Sequence, residues 1–159
     1  MRNYKPEGRF YIIMREDLPS LNPGKAMAQA AHAQGVAETF FTYIGNEHRK
    51  ASWIEWKKQG YGGFGTTIVL GNQYSGGPNK GNFLNVDDIG ELAHVNVYPK
   101  PDGPRYYTSA IKDPTYPIRD GNTIHLVKDV ITCASIFIDD MTDIHPSTQT
   151  FLRSFNLYA

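Results

Sequence analysis

The stretch Ala26-Met27-Ala28-Gln29-Ala30-Ala31-His32-Ala33 most narrows the folds open to this chain. Alanine is the strongest helix former, and a helix backed by methyl-sized side chains can lie close to a neighbouring sheet. Asn22 reads as an N-cap, Pro23 suits the first helical position and Gly45 reads as a stop, so the pattern predicts a helix over Pro23–Ile44. Lys25, Gln29 and His32 are separated by steps of four and three. At roughly 100° per residue such steps gather side chains on one face. The alanines between them are expected behind, against the core. Lys25 falls in the first turn, where the positive end of the helix dipole disfavours a cation. Stability alone favours an acid there, so the lysine marks the stripe as a candidate site and not merely a solvated face. In the second half of the helix, Val36, Phe40, Phe41 and Ile44 recur at helical spacing and are expected to fill the core.

The segments around this helix alternate short apolar runs with helical patterns. Arg9–Arg15 holds the continuous run Phe10–Met14 and is predicted as a central strand covered on both faces, joined to the helix by Glu16–Leu21. A second helix is predicted over Glu47–Gln59, ended by Gly60. Its Trp53 and Trp56 share a face and are expected in packing, not as a platform for stacked bases. Tyr61–Gly65 reads as a turn, Thr66–Leu70 as a buried strand and Gly71–Asn82 as a surface loop. Asn85 and Asp88 mark a short helix ending near Ala93, followed by a strand at Val95–Tyr98. Pro99–Pro117 carries five prolines and several tyrosines, which predicts an irregular excursion, either a lid or a structural flap. Arg119–Asn122 reads as a polar turn and Thr132–Ile138 as a strand. A last helix after His145-Pro146-Ser147 is expected to dock Phe151, Leu152 and Phe155. Short strands separated by helices argue for a layered α/β domain, and 159 residues suffice for one substantial core.

Charge and motif content exclude several function classes. The 16 basic and 16 acidic residues cancel, so nucleic-acid binding requires a local positive patch. Cys133 is the one cysteine, which excludes an internal disulfide; within its apolar run it reads as a small buried hydrophobe. No apolar run reaches the roughly 18 residues of a membrane span, and Met1–Lys5 lacks a signal-peptide core. A cytoplasmic, reducing setting without membrane partners is the expectation. Patterns for a P-loop, a zinc protease or a serine nucleophile elbow are missing, and no cofactor or metal is expected. His145 alone heads an H-x-[ST] pattern, which disfavours a two-histidine phosphoesterase.

In order and content these motifs resemble the type 2 peptidyl-tRNA hydrolases. Arg15-Glu16-Asp17-Leu18 matches that family's Arg-x-Asp-Leu strand end. Gly24-Lys25, Gln29 and His32-Ala33 match its Gly-Lys-x-x-x-Gln-x-x-His-Ala helix. Arg119-Asp120 matches the start of its Arg-Asp-Ala-Gly-x-Thr-Gln-Ile segment, and Thr132 its later threonine. Ser154–Tyr158 is similar to its C-terminal ending. The likeness spans nearly the whole chain, with the first helix its most specific part. It departs at Asn122-Thr123-Ile124-His125-Leu126, at Asp139-Asp140-Met141 and in two insertions, 71–82 and 99–117.

The resemblance implies a mixed, mainly four-stranded sheet flanked by helices and a cofactor-independent hydrolase of the ester between peptide and tRNA. Lys25 would hold a phosphate or the developing oxyanion, and Asp120 would position or deprotonate water while paired with Lys25. Gln29 and Thr132 would orient water or substrate, and His32 is an acid/base candidate. Thr123, His125 and Lys80 are candidates for substrate binding. Two other readings stay open: a hydrolase of a small or cyclic nucleotide, and a non-catalytic RNA- or nucleotide-binding protein. A homodimer also stays open.

Overall fold

The computed structural model describes residues 7–16, 23–71, 97 and 106–158, and of 118–120 the backbone alone. In chain order the elements are β1 (Arg9–Met14), α1 (Pro23–Thr39) with a π-helical extension (Phe40–Ile44), α2 (Glu47–Lys57), β2 (Thr67–Gly71) and β3 (Tyr107–Asp113). They continue with β4 (Tyr116–Asp120), β5 (Thr123–Val127), β6 (Val130–Ile138), α3 (Pro146–Arg153) and β7 (Asn156–Leu157). Five strands form a mixed sheet of order β3-β6-β1-β2-β7, and β4 and β5 pair separately as a hairpin. Four strands carry the main sheet; the two-residue β7 only extends the edge of β2. The expected layered α/β architecture is therefore the one observed.

Two cores share this sheet, and this is why β1 is apolar without interruption. Phe10, Ile12 and Met14 pack beneath α1 and α2 with Phe41, Trp53, Trp56 and Phe137. Tyr11 and Ile13 point the other way, into a cluster closed by Phe151, Leu152 and Phe155 of the C-terminal segment. A strand buried on both faces has no use for alternating polar residues. Trp53 and Trp56 are stacked at 4.5 Å, and Phe41 lies parallel to Trp53 at 4.6 Å, so the indoles are core, as expected. Asn46 caps α2 by accepting a hydrogen bond from Arg49 N, and the His145 side chain caps α3 from Ser147 N.

Several expectations need correction. Arg119 and Asp120 belong to β4 and leave only Gly121-Asn122 as the turn. The strand expected as buried over Thr66–Leu70 runs Thr67–Gly71, with only Leu70 and Gly71 buried. The segment Pro99–Pro117 is not irregular throughout, because Tyr107–Asp113 is a full strand and Tyr116 begins another. In sequence its prolines precede the strand, up to position 104, and follow it at 114 and 117, so that none falls within Tyr107–Asp113. The first helix changes character at Phe40, where a π turn replaces the α pattern up to Ile44 and Gly45 N–H bonds Phe40 O at 2.8 Å. The smaller rotation per residue of the π turn keeps Phe41 fully inward and leaves Ile44 71% exposed; Val36, on the regular part of the helix, is 44% exposed, so neither fills the core as expected. The expected loop 71–82 lies outside the described residues except for Gly71. The expected helix from Asn85 and strand Val95–Tyr98 do so except for Val97, which is buried.

Gly65 makes the closest backbone approach in this core. A Cβ there would overlap the carbonyl oxygen and indole nitrogen of Trp56. Gly65→Ala is expected to destabilise the fold by about 1–3 kcal/mol. The measurement is urea unfolding, with the midpoint lowered and the m-value unchanged.

Candidate functional site

The sheet-facing stripe of α1 is Ala26, Gln29, Ala33 and Ala37, all buried. The helix sits close to the sheet as its alanines require, but Gln29 is on the inner side with them and only 4% exposed. The expectation of polar residues in front and alanines behind is thus corrected for Gln29. It stands at the border of both stripes, with Lys25 and His32 about 40–60° to one side and Ala26 and Ala33 equally far to the other. Lys25 is half-buried and His32 exposed.

A buried primary amide must be hydrogen-bonded at both ends. Gln29 Oε1 accepts from Thr132 Oγ1 at 2.8 Å, and Gln29 Nε2 donates to Asp113 Oδ2 at 2.8 Å. The carboxylate can only accept, so the NH2 group faces it and the amide orientation is fixed. The other oxygen, Asp113 Oδ1, accepts from Thr115 N at 2.9 Å, which closes the turn out of β3.

Thr132 reaches this position through an irregularity in the strand pairing. Ile111 pairs with Cys133 but Lys112 with Ile131, so Thr132 is an extra residue in β6, a β-bulge. The bulge turns Thr132 towards α1, on the same side as Cys133, whose Sγ donates to the Gln29 carbonyl at 3.8 Å. Lys25 lies over the ring of Tyr116 at 5.5 Å from its centroid. Lys25 and Gln29 of one helix therefore meet the two ends of the same short link, Asp113 to Tyr116.

The remaining sequence candidates fall in different places. Asp120 is at the tip of the β4–β5 hairpin, four residues beyond Tyr116, or about 13 Å along an extended strand; its side chain is outside the described set. The expected Lys25–Asp120 pair and Lys80 are likewise outside it. Thr123 and His125 are exposed on β5, beside exposed Ile124 and Leu126. His32 belongs to a neighbouring groove of about 890 Å³, bounded by α1, its π extension and β3 from Tyr106 to Pro114. Asp113 is the residue that sequence reasoning missed. Its signal was present in Tyr107-Thr108-Ser109-Ala110-Ile111, a β-favouring run ended by Lys-Asp-Pro.

Among the described residues no cluster of His, Cys, Asp and Glu is placed to hold a metal ion, and no helix is long and apolar enough to cross a membrane.

Two outcomes follow from this packing. Gln29→Leu leaves Thr132 and Asp113 without their buried partner and is expected to cost about 1–3 kcal/mol in urea unfolding. Burial pushes the Cys133 thiol from an ordinary 9.0 up to about 12, against a smaller opposing effect of the Thr132 hydroxyl. The raised folded-state value contributes stability below pH 9 that is lost as pH rises towards 12. Cys133 is accordingly expected to resist a thiol reagent at neutral pH and to react fully in denaturant. Comparison with known proteins gives no matching family model and no matching curated protein.

Proposed function

We propose that the chain is a cofactor-independent hydrolase acting on the ester of a peptidyl-tRNA. Asp113 takes the role that the sequence reading gave to Asp120. The observation that carries the proposal is the convergence of Lys25 and Gln29 on the Asp113–Tyr116 link, with Thr132 completing the chain Thr132–Gln29–Asp113. A carboxylate, an ammonium and an oriented amide on rigid elements suffice for ester hydrolysis by water.

In this reading Asp113 accepts a proton from water as the water oxygen attacks the ester carbonyl. Gln29 holds one carboxylate oxygen and thereby fixes the orientation of the base. Lys25 is in the first turn of α1, where its ammonium adds to the positive helix end. It stabilises the oxygen anion formed by the attack, or holds the adjacent phosphate. The carbon–oxygen bond to the ribose then breaks, the carbonyl re-forms, and the proton held by Asp113 passes to the departing 3′ oxygen. The peptide leaves as a carboxylic acid that ionises in water.

The test offers purified protein a peptidyl-tRNA and a panel of linear and cyclic nucleotides, following cleavage and retention. Cleavage of peptidyl-tRNA is expected, with Lys25→Ala and Asp113→Asn each lowering kcat by about 10²–10⁴-fold while the variants remain folded. Asp120→Asn run in parallel decides between the carboxylates; loss there with none at Asp113→Asn returns the role to Asp120. Nucleotide turnover would instead select a small-nucleotide hydrolase, and retention without turnover a binding protein.

A further inference from the structure

The groove beside the site begins at Asp113 and follows β3 along its length, with α1 as its other wall. β3 is the end strand of the main sheet among the described residues, pairing only with β6. The direction of its backbone groups follows from the neighbouring strands. Arg15 N bonds Thr132 O, and Phe10 N bonds Thr66 O, so Arg9, Tyr11, Ile13 and Arg15 turn their amides towards β6. Alternation then turns Ala134 and Ile136 towards β1, and Cys133, Ser135 and Phe137 towards β3. Tyr107, Ser109 and Ile111 complete those pairs. The N–H and C=O groups of Ala110 and Lys112, two residues that line the groove, consequently point outward from the sheet edge, and Ala110 O accepts one long bond from Ser109 Oγ at 3.5 Å that leaves its second lone pair. The opposite wall is accessible and mixed, with Val36 and Ile44 exposed alongside His32, Thr39 and Arg49, and the π turn that displaces Ile44 from the core forms its far end.

We propose that the peptide portion of the substrate lies in this groove as an added strand along the outer edge of β3. It bonds the backbone of Ala110 and Lys112, and its ester end is at Asp113. The inference rests on the peptidyl-tRNA reading and deepens it. Backbone pairing on a sheet edge gives affinity without regard to side-chain sequence, and a wall that offers both apolar and polar groups accepts varied side chains. Seven residues of β3 span about 23 Å, the reach of a peptide of six or seven residues. The continuity of groove and site at Asp113 favours a peptide over a second protein copy, which would have no reason to end at the carboxylate.

The experiment compares two substrates on the same tRNA, one carrying a single N-acetylated amino acid and one a six-residue peptide. For the wild type, KM is expected to be about tenfold lower for the longer peptide. Gly35 lines the groove, and a Cβ there would meet nothing within 4 Å. Gly35→Trp therefore fills the groove without disturbing the core and, by removing a helix glycine, does not weaken α1. It is expected to bring the ratio of the two KM values close to one. Ala110→Pro, which removes one outward N–H from an edge strand, is expected to reduce the same ratio. Equal KM values in the wild type, or a length preference kept by Gly35→Trp, would overturn the groove proposal and leave the hydrolase reading standing. A wild type that cleaves neither substrate overturns both.

Discussion

The hydrogen-bonded carboxamide of Gln29 is the interaction on which the site depends. It is the one buried polar side chain among the described residues of α1, in a face otherwise made of alanine. Alanine lets the helix approach the sheet, and the approach removes water from Gln29. Without water, the amide must find protein partners, and among the described residues Thr132 and Asp113 supply them. Close packing and polar satisfaction thus constrain one another. Small residues set the distance, and the amide sets the rotation of α1 about its axis and its position along β3 and β6.

The same coupling explains the β-bulge. Regular alternation along β6 places Ala134, Ile136 and Ile138 in one core and Cys133 and Phe137 in the other. A regular strand would turn Thr132 away from α1. The extra residue opposite Ile111 reverses that, so the hydroxyl faces Gln29 while the rest of β6 keeps its apolar pattern. The bulge also ends the regular part of the β3–β6 ladder close to Asp113, where the chain leaves for the β4–β5 hairpin.

The π turn at Phe40–Ile44 is a second departure from regularity with a consequence for shape. Phe40 rests against Tyr107 at 4.8 Å and Phe41 enters the aromatic core, while Ile44 is released to the surface. An α-helix continued through these positions would alternate its apolar residues differently and place Ile44 beside Phe41. The groove along β3 has α1 as its other wall and owes its far end to this turn. Site and groove therefore arise from two local irregularities, one in a strand and one in a helix, on an otherwise regular scaffold.

Much of the scaffold was legible in the residues alone. Phe10–Met14 announced a strand buried on both faces, the alanines of α1 a close helix–sheet contact, and Trp53 with Trp56 a packed face. Each depends on composition and spacing within one element. The same local logic picked out Lys25 and Gln29, whereas Thr132 was singled out by the family resemblance alone. What it could not supply was which of several carboxylates meets Gln29. Asp120 has the neighbours of a motif, whereas Asp113 is hidden among prolines whose effect depends on where they fall relative to a strand. The choice is made by the β3–β6 register, a pairing between segments far apart in sequence, and by a bulge that exists only within that pairing. Local sequence determined the elements and their buried faces, because propensity and hydrophobic period act over a few residues. Only the tertiary structure decided that Asp113 meets Gln29 and that Gln29 turns inward, because both follow from satisfying buried polar groups across the sheet.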